Sequence, residues 1–108
     1  MIKLVLLFRR RPDITPAEFL RYWEEVHVPL VRQVPGIRRY VISPVLRSPD
    51  SGQPVADGMA ELWFADEEAL NAALVSPESA VTARDARNFI ARGSIFRFVC
   101  LEVDRTCS

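Results

Sequence analysis

The chain is short of glycine, with four in 108 residues, and of cysteine, with two; lysine and histidine occur once each. Cys100 and Cys107 stand seven apart, a spacing that fits neither a CxxC redox motif nor a zinc site, so no metal or disulfide framework is expected. Net charge is missing too. The 14 Lys and Arg residues balance the 14 Asp and Glu residues and are interspersed with them, which leaves no electrostatic footprint for a nucleic-acid backbone. No apolar run approaches the roughly 20 residues a bilayer span needs. The opening Met1–Phe8 run is too short for a signal peptide and lacks its cleavage pattern. Neither nucleic acid nor a membrane is therefore an expected partner, and a cytoplasmic location is expected. Repeats and low-complexity tracts are also lacking, so residues 1–108 read as one domain with a tail from about 104.

What is present is 49% apolar residues, enough for one core. A chain of this size buries roughly 65% of the surface of its unfolded form, so any second core has to come from another copy. IKLVLLFRR, bounded by Pro12, reads as a strand. Thr15-Pro16-Ala17-Glu18 is a helix start: a Thr cap, Pro in the first turn and Glu placed to reach back to the cap. Phe19, Trp23, Val26 and Leu30 form the expected apolar stripe, which Pro35-Gly36 stops. Pro29 inside this pattern cannot donate to the carbonyl four residues earlier, which predicts a kink or weakened turn near Glu25.

Ile37–Leu46 and Met59–Ala65 read as strands joined by an exposed loop, Arg47–Gly58. Asp66 caps a short helix through Leu74; Ser76-Pro77 opens another to about Ala91, and Ile95–Val103 is the last strand. The order β-α-β-β-α-β predicts an α+β, ferredoxin-like subunit: a four-stranded antiparallel sheet with its helices on one face. Such a sheet should be polar on its bare face, yet both faces here are apolar. Ile2, Leu4, Leu6 and Phe8 oppose Val5 and Leu7; Ile95, Val99, Leu101 and Val103 oppose Phe96, Phe98 and Cys100. A symmetric homodimer packed sheet to sheet is the expected cover for the face the helices leave bare.

Several segments carry a resemblance: IKLVLLFRRRPDITPAEFLRYWEEVHVPLV, PGIRRYV, DGMAELWFADEEAL and DARNF at Asp85–Phe89. With its F-x-x-x-W-x-x-x-H-x-P pattern at Phe19, Trp23, His27 and Pro29, the chain resembles the EthD family of the dimeric α/β-barrel superfamily. The resemblance implies a barrel made by two subunits and a mostly apolar pocket between sheet and helices in each. It implies a chemistry only loosely. Members of that superfamily include cofactor-free monooxygenases, muconolactone-type isomerases, polyketide cyclases or dehydratases and haem-handling proteins, and the EthD family is linked to ether degradation beside an oxygenase system.

His27, the sole histidine, lies four residues after Trp23 and is the only side chain whose ordinary pKa suits acid–base work near neutrality. Its plainer role is packing. Asp85 or Glu61 is a candidate to orient it: Asp85 is four residues before Phe89, beside Arg84 and Arg87, and Glu61 shares a strand face with Met59 and Trp63. Tyr40 either donates to a substrate carbonyl or fills the core. Phe19, Trp23, Trp63 and Phe89 are candidate pocket walls, or core. Cys100 reads as a small hydrophobe, and Arg9-Arg10-Arg11 as a solvated strand end.

Three functions follow from these residues. The first is a cofactor-free isomerase, cyclase or dehydratase on a small apolar carbonyl or cyclic compound, with His27 moving a proton, Tyr40 holding the oxygen and Asp85 or Glu61 orienting the histidine. The second is a non-catalytic carrier of a small hydrophobic ligand that serves a partner oxygenase. The third is a haem-handling protein with His27 as axial ligand.

Overall fold

A short apolar run carries Ile2–Phe8 into β1, and the Thr15 capping box starts α1 at Pro16, with Glu18 N donating to Thr15 Oγ1 (3.1 Å) and Thr15 N to Glu18 Oε1 (2.9 Å). The computed structural model describes residues 1–50 and 52–107; Ser51, in the expected loop, and Ser108, at the end of the expected tail, lie outside the described residues. After α1 (Pro16–Tyr22) come a π-helical turn (Trp23–His27), α2 (Val28–Val31), β2 (Arg39–Pro44), β3 (Gly58–Phe64), α3 (Glu67–Leu74), α4 (Pro77–Ala86) and β4 (Phe96–Leu101). Asp66 and Ser76 cap α3 and α4 by accepting from Ala69 N and Ser79 N. The strands form one antiparallel sheet in the order β2-β3-β1-β4, which is the ferredoxin-like arrangement expected from the sequence. Among the described residues no helix is long and apolar enough to cross a membrane.

Register assigns each face. Leu6 lies opposite Ala60 and Arg97, and Leu62 opposite Leu4 and Tyr40, so these side chains share the face under the helices. The core forms there: Leu4, Phe8, Leu62 and Phe64 pack against Phe19, Trp23, Leu70 and Phe89. Phe8, Phe19, Trp23 and Phe89 make an aromatic cluster with centroids 5.0–6.5 Å apart. Gly58 lets it close onto the sheet, since a Cβ at that position would sit 2.7 Å from the Phe8 ring and 2.9 Å from Trp23. The opposite face carries Val5, Leu7, Met59, Phe96 and Phe98 with no element among the described residues over them, and the two phenylalanines are 62% and 49% exposed.

Three expectations are corrected. The buried stripe of the first helical segment runs Phe19, Trp23, His27, Val31, and Val26 points outward at 41% exposure. The cause is the π turn, in which Val28 N reaches back five residues to Trp23 O. A π turn winds less per residue than an α turn, so steps of four keep to one face. This turn stands where a kink was expected from Pro29, which has no N–H to give Glu25. The last helix stops at Ala86 instead of running to Ala91. Residues 89–91 are drawn onto the extension of β1 by Arg11 N to Phe89 O (3.0 Å) and Ala91 N to Arg9 O (2.9 Å). The edge strands β2 and β4 are shorter than expected at both ends, each having a neighbour on one side only.

Candidate active site

Between the sheet and the helices lies a cavity of about 390 Å³, within the size range of small-molecule sites. Its walls are mostly apolar, from Leu4, Leu6 and Leu62 below to Trp23, Val31 and Ala86 above, and the polar groups that reach it are His27, Tyr40, Ser79, Thr82 and Arg97. The π turn carries His27 to this cavity. Its Nδ1 lies 2.8 Å from Asp85 Oδ2 of α4, and the two side chains are only 12% and 11% exposed. The second Asp85 oxygen accepts from the Tyr22 hydroxyl (2.5 Å) and from Asn88 Nδ2 (3.3 Å), and Asn88 also donates to the Tyr22 oxygen (3.0 Å). Tyr22 and His27 are five residues apart, a separation that the π turn brings onto the two oxygens of one carboxylate.

Burial lowers the His27 pKa below its ordinary value of 6.5, and the Asp85 hydrogen bond and charge oppose that without overturning it. The imidazole is therefore neutral at neutral pH. Burial pushes the Asp85 carboxyl up, but hydrogen bonds from Tyr22, His27 and Asn88 outweigh it and hold the group below its ordinary 3.8. An ionised carboxylate can only accept, so the Nδ1 proton belongs to His27 and the Nε2 lone pair is left for whatever occupies the cavity. Tyr40, half-buried on β2, has its pKa pushed up to about 12 by burial, against a smaller opposing effect of the Trp23 indole. It stays a phenol, a hydrogen-bond donor, throughout the neutral range. A neutral imidazole base and a phenol donor facing one apolar cavity can abstract a proton next to a carbonyl and stabilise the resulting oxyanion.

The expected site residues thus divide. His27, Tyr40 and Trp23 line the cavity, and Asp85 reaches it through His27. Phe19 and Phe89 stand behind it as core, with Phe89 against the His27 ring at 4.8 Å between centroids. Glu61 and Trp63 lie on the other face of the sheet, away from His27. Glu61 is bound by Lys3 Nζ (2.7 Å); Trp63 Nε1 donates to Glu102 Oε2 (2.9 Å) and its ring carries Arg39 at 4.6 Å. Tyr22 and Asn88 belong to the site as well, beyond the residues the sequence singles out. For Asn88 the spacing of three from Asp85 was a usable signal; for Tyr22 there was none, because separations of five do not meet on an α-helix.

A family model described as EthD domain matches residues 11–93. An uncharacterized 11.0 kDa protein from the thcB-thcC intergenic region of Rhodococcus erythropolis is 31% identical over 98 residues, covering 91% of this chain and 92% of its own. Among solved structures, an EthD family protein from Bacillus halodurans is 27% identical with a TM-score of 0.81, covering 95% of this chain and 99% of that one. A dimeric ferredoxin-like protein of unknown function from Thermobifida fusca has a TM-score of 0.67 at 17% identity, covering 92% and 90% of the two chains, a likeness of fold alone.

Proposed function

The chain belongs to the EthD family, and from that premise we propose that it is a cofactor-free acid–base enzyme acting on a small, largely apolar carbonyl or cyclic compound held between sheet and helices. The observation that carries this reading is the largely buried His27–Asp85 pair on the wall of an apolar cavity. His27 Nε2 takes a proton from the carbon beside the carbonyl; Tyr40 donates to the oxygen as negative charge gathers there; Asp85 fixes the tautomer and faces the imidazolium once it forms. Returning the proton to another carbon isomerises the compound; giving it instead to a β-hydroxyl as the enolate collapses expels water, dehydrates the compound and restores the neutral imidazole. Tyr22 and Asn88 hold the carboxylate in place. The mostly apolar lining supports a second reading, a carrier of small hydrophobic ligands, which shares the cavity and does without the proton transfer.

We take residues 1–108 as one EthD unit that works as a homodimer, with the bare sheet faces of two copies packed together. The exposed Phe96 and Phe98, and the dimeric state of the fold relative from Thermobifida fusca, support this. Light scattering should return twice the chain mass of 12.3 kDa, and a stable particle of one chain mass would overturn it.

The chemical reading is tested by deuterium wash-in. Purified protein in D2O with small cyclic ketones should catalyse exchange at the α-carbon, followed by proton NMR, and His27→Ala should slow it about 10²–10⁴-fold. Exchange unchanged in His27→Ala overturns the reading. Binding of the ketones without any exchange favours the carrier instead.

A further inference from the structure

The face of the sheet beneath the helices is apolar with two exceptions. Along β1 it presents isoleucine, leucines and phenylalanine, along β3 glycine, alanine, leucine and phenylalanine, and along β4 valine and leucine; the exceptions are Tyr40 on β2 and Arg97 on β4. Tyr40 already has a role in the reading above. Arg97 does not. It lines the cavity at an exposed position, directly opposite Leu6 of β1 and two residues on from Ile95, which also borders the cavity. No acidic side chain among the described residues forms an ion pair with it, a condition it shares with the arginines other than Arg11, but it alone of them lines the cavity. A guanidinium set among apolar side chains is a fork of donors awaiting a planar anion.

We propose that Arg97 is the anion-binding residue of this cavity and that the substrate is a keto acid: a carbonyl compound with an apolar body whose carboxylate meets Arg97 at the mouth. The inference rests on the carbonyl chemistry assigned to His27 and Tyr40 and names its substrate class. One observation favours a carboxylate over a phosphate. Among the described residues Arg97 is the one permanent cation lining the cavity, His27 being held neutral, and a dianion asks for more than one. Position also sets the shape of the molecule. Tyr40 and Arg97 stand on the two edge strands, three strand spacings apart and two residues out of register, about 16 Å at the backbone. Both side chains line the cavity, so the carbonyl and carboxylate of one molecule that meets both are separated by several carbons.

The probe is a cyclohexanone bearing a carboxylate para to the carbonyl, compared with its primary amide, which has the same shape and no charge. Calorimetric titration of the wild-type protein should give about tenfold tighter binding of the carboxylate than of the amide. Arg97→Gln should bind the two alike, at the affinity of the amide, and Arg97→Lys should keep part of the preference. Equal binding of the two by the wild-type protein, or a preference that survives in Arg97→Gln, overturns the inference. Deuterium wash-in on the same pair separates this inference from the reading it rests on. A carboxylate preference that depends on Arg97 without any α-exchange leaves the anion site standing and removes the acid–base chemistry. Exchange at equal rate and affinity on both compounds does the reverse.

Discussion

The two faces of the sheet hold a similar set of side chains and put them to different use. Each has a tryptophan, a carboxylate and a basic partner: Trp23, Asp85 and His27 over the inner face, Trp63, Glu61 and Lys3 on the outer. On the inner face the carboxylate receives three donors, lies beside a cavity, and its partner is an imidazole that is neutral at neutral pH and free to take a proton. On the outer face Glu61 meets a lysine whose pKa is raised, by the Glu61 hydrogen bond above all, so the lysine keeps its proton throughout the neutral range. Residue type sets what a side chain can do, and the facing of the strand or helix decides whether it does it.

Exchanging the carboxylates for amides is the sharpest way to break the comparison. Asp85→Asn removes the charge that stabilises an imidazolium and frees the tautomer, so α-proton exchange should fall about 10²–10⁴-fold. Glu61→Gln should leave the rate within about twofold, since Glu61 faces away from the cavity. Equal losses in the two would show that facing does not matter. Next in size is Trp23→Ala. This side chain is 1% exposed, walls the cavity and packs on Phe8 at 5.0 Å, and its loss should cost about 3–5 kcal/mol in urea unfolding. Trp63→Ala, whose ring is covered by charged side chains instead of packed core, should cost less than Trp23→Ala.

The strand periodicity that separates these faces was readable in advance, because a period of two is a property of the chain alone. So were the caps at Thr15, Asp66 and Ser76, each a local side-chain to backbone bond, and the β-α-β-β-α-β order. The choice between Asp85 and Glu61 was not. It depends on α4 crossing the first helical segment, a contact between residues 58 positions apart. Nor was the π turn itself: Pro29 announced a fault in the helix, but not that the fault would be a wider turn gathering Tyr22 and His27 on one carboxylate. Trp63 lies on the outer face, not on the pocket wall expected of it, for a related reason: an aromatic side chain in an apolar strand says nothing about which side the helices cover.

Acid should sharpen the contrast through stability. The native His27 pKa is below 6.5, so as pH falls through 6.5 toward that native value the unfolded chain takes up a proton that the folded chain refuses, and stability drops. Asp85, held below 3.8, adds a second loss as pH falls through 3.8 toward its own native value. Urea unfolding followed from neutral to acid pH should show both steps, and His27→Gln should lack the first. The same titration read on the His27 ring by NMR should give a pKa below 6.5, moved lower still in Asp85→Asn, where the opposing charge is gone.

The smallest effect belongs to the outer pair. Lys3 and Glu61 are 21% and 17% exposed, at the margin of solvent, and lie on the face assigned to a second copy of the chain. In one chain alone the 2.7 Å pair is worth about 0.2–1 kcal/mol. Packed under a partner sheet the same charges lose their water and depend on each other, and removing Lys3 then leaves Glu61 buried without its cation, a far larger penalty. Lys3→Met should therefore change unfolding by no more than about 1 kcal/mol under conditions where the chain is monomeric, yet weaken the dimer measurably in dilution experiments. If dissociation is unchanged in Lys3→Met, the pair lies outside the interface, and the sheet-to-sheet dimer has to be centred instead on the exposed phenylalanines of β4.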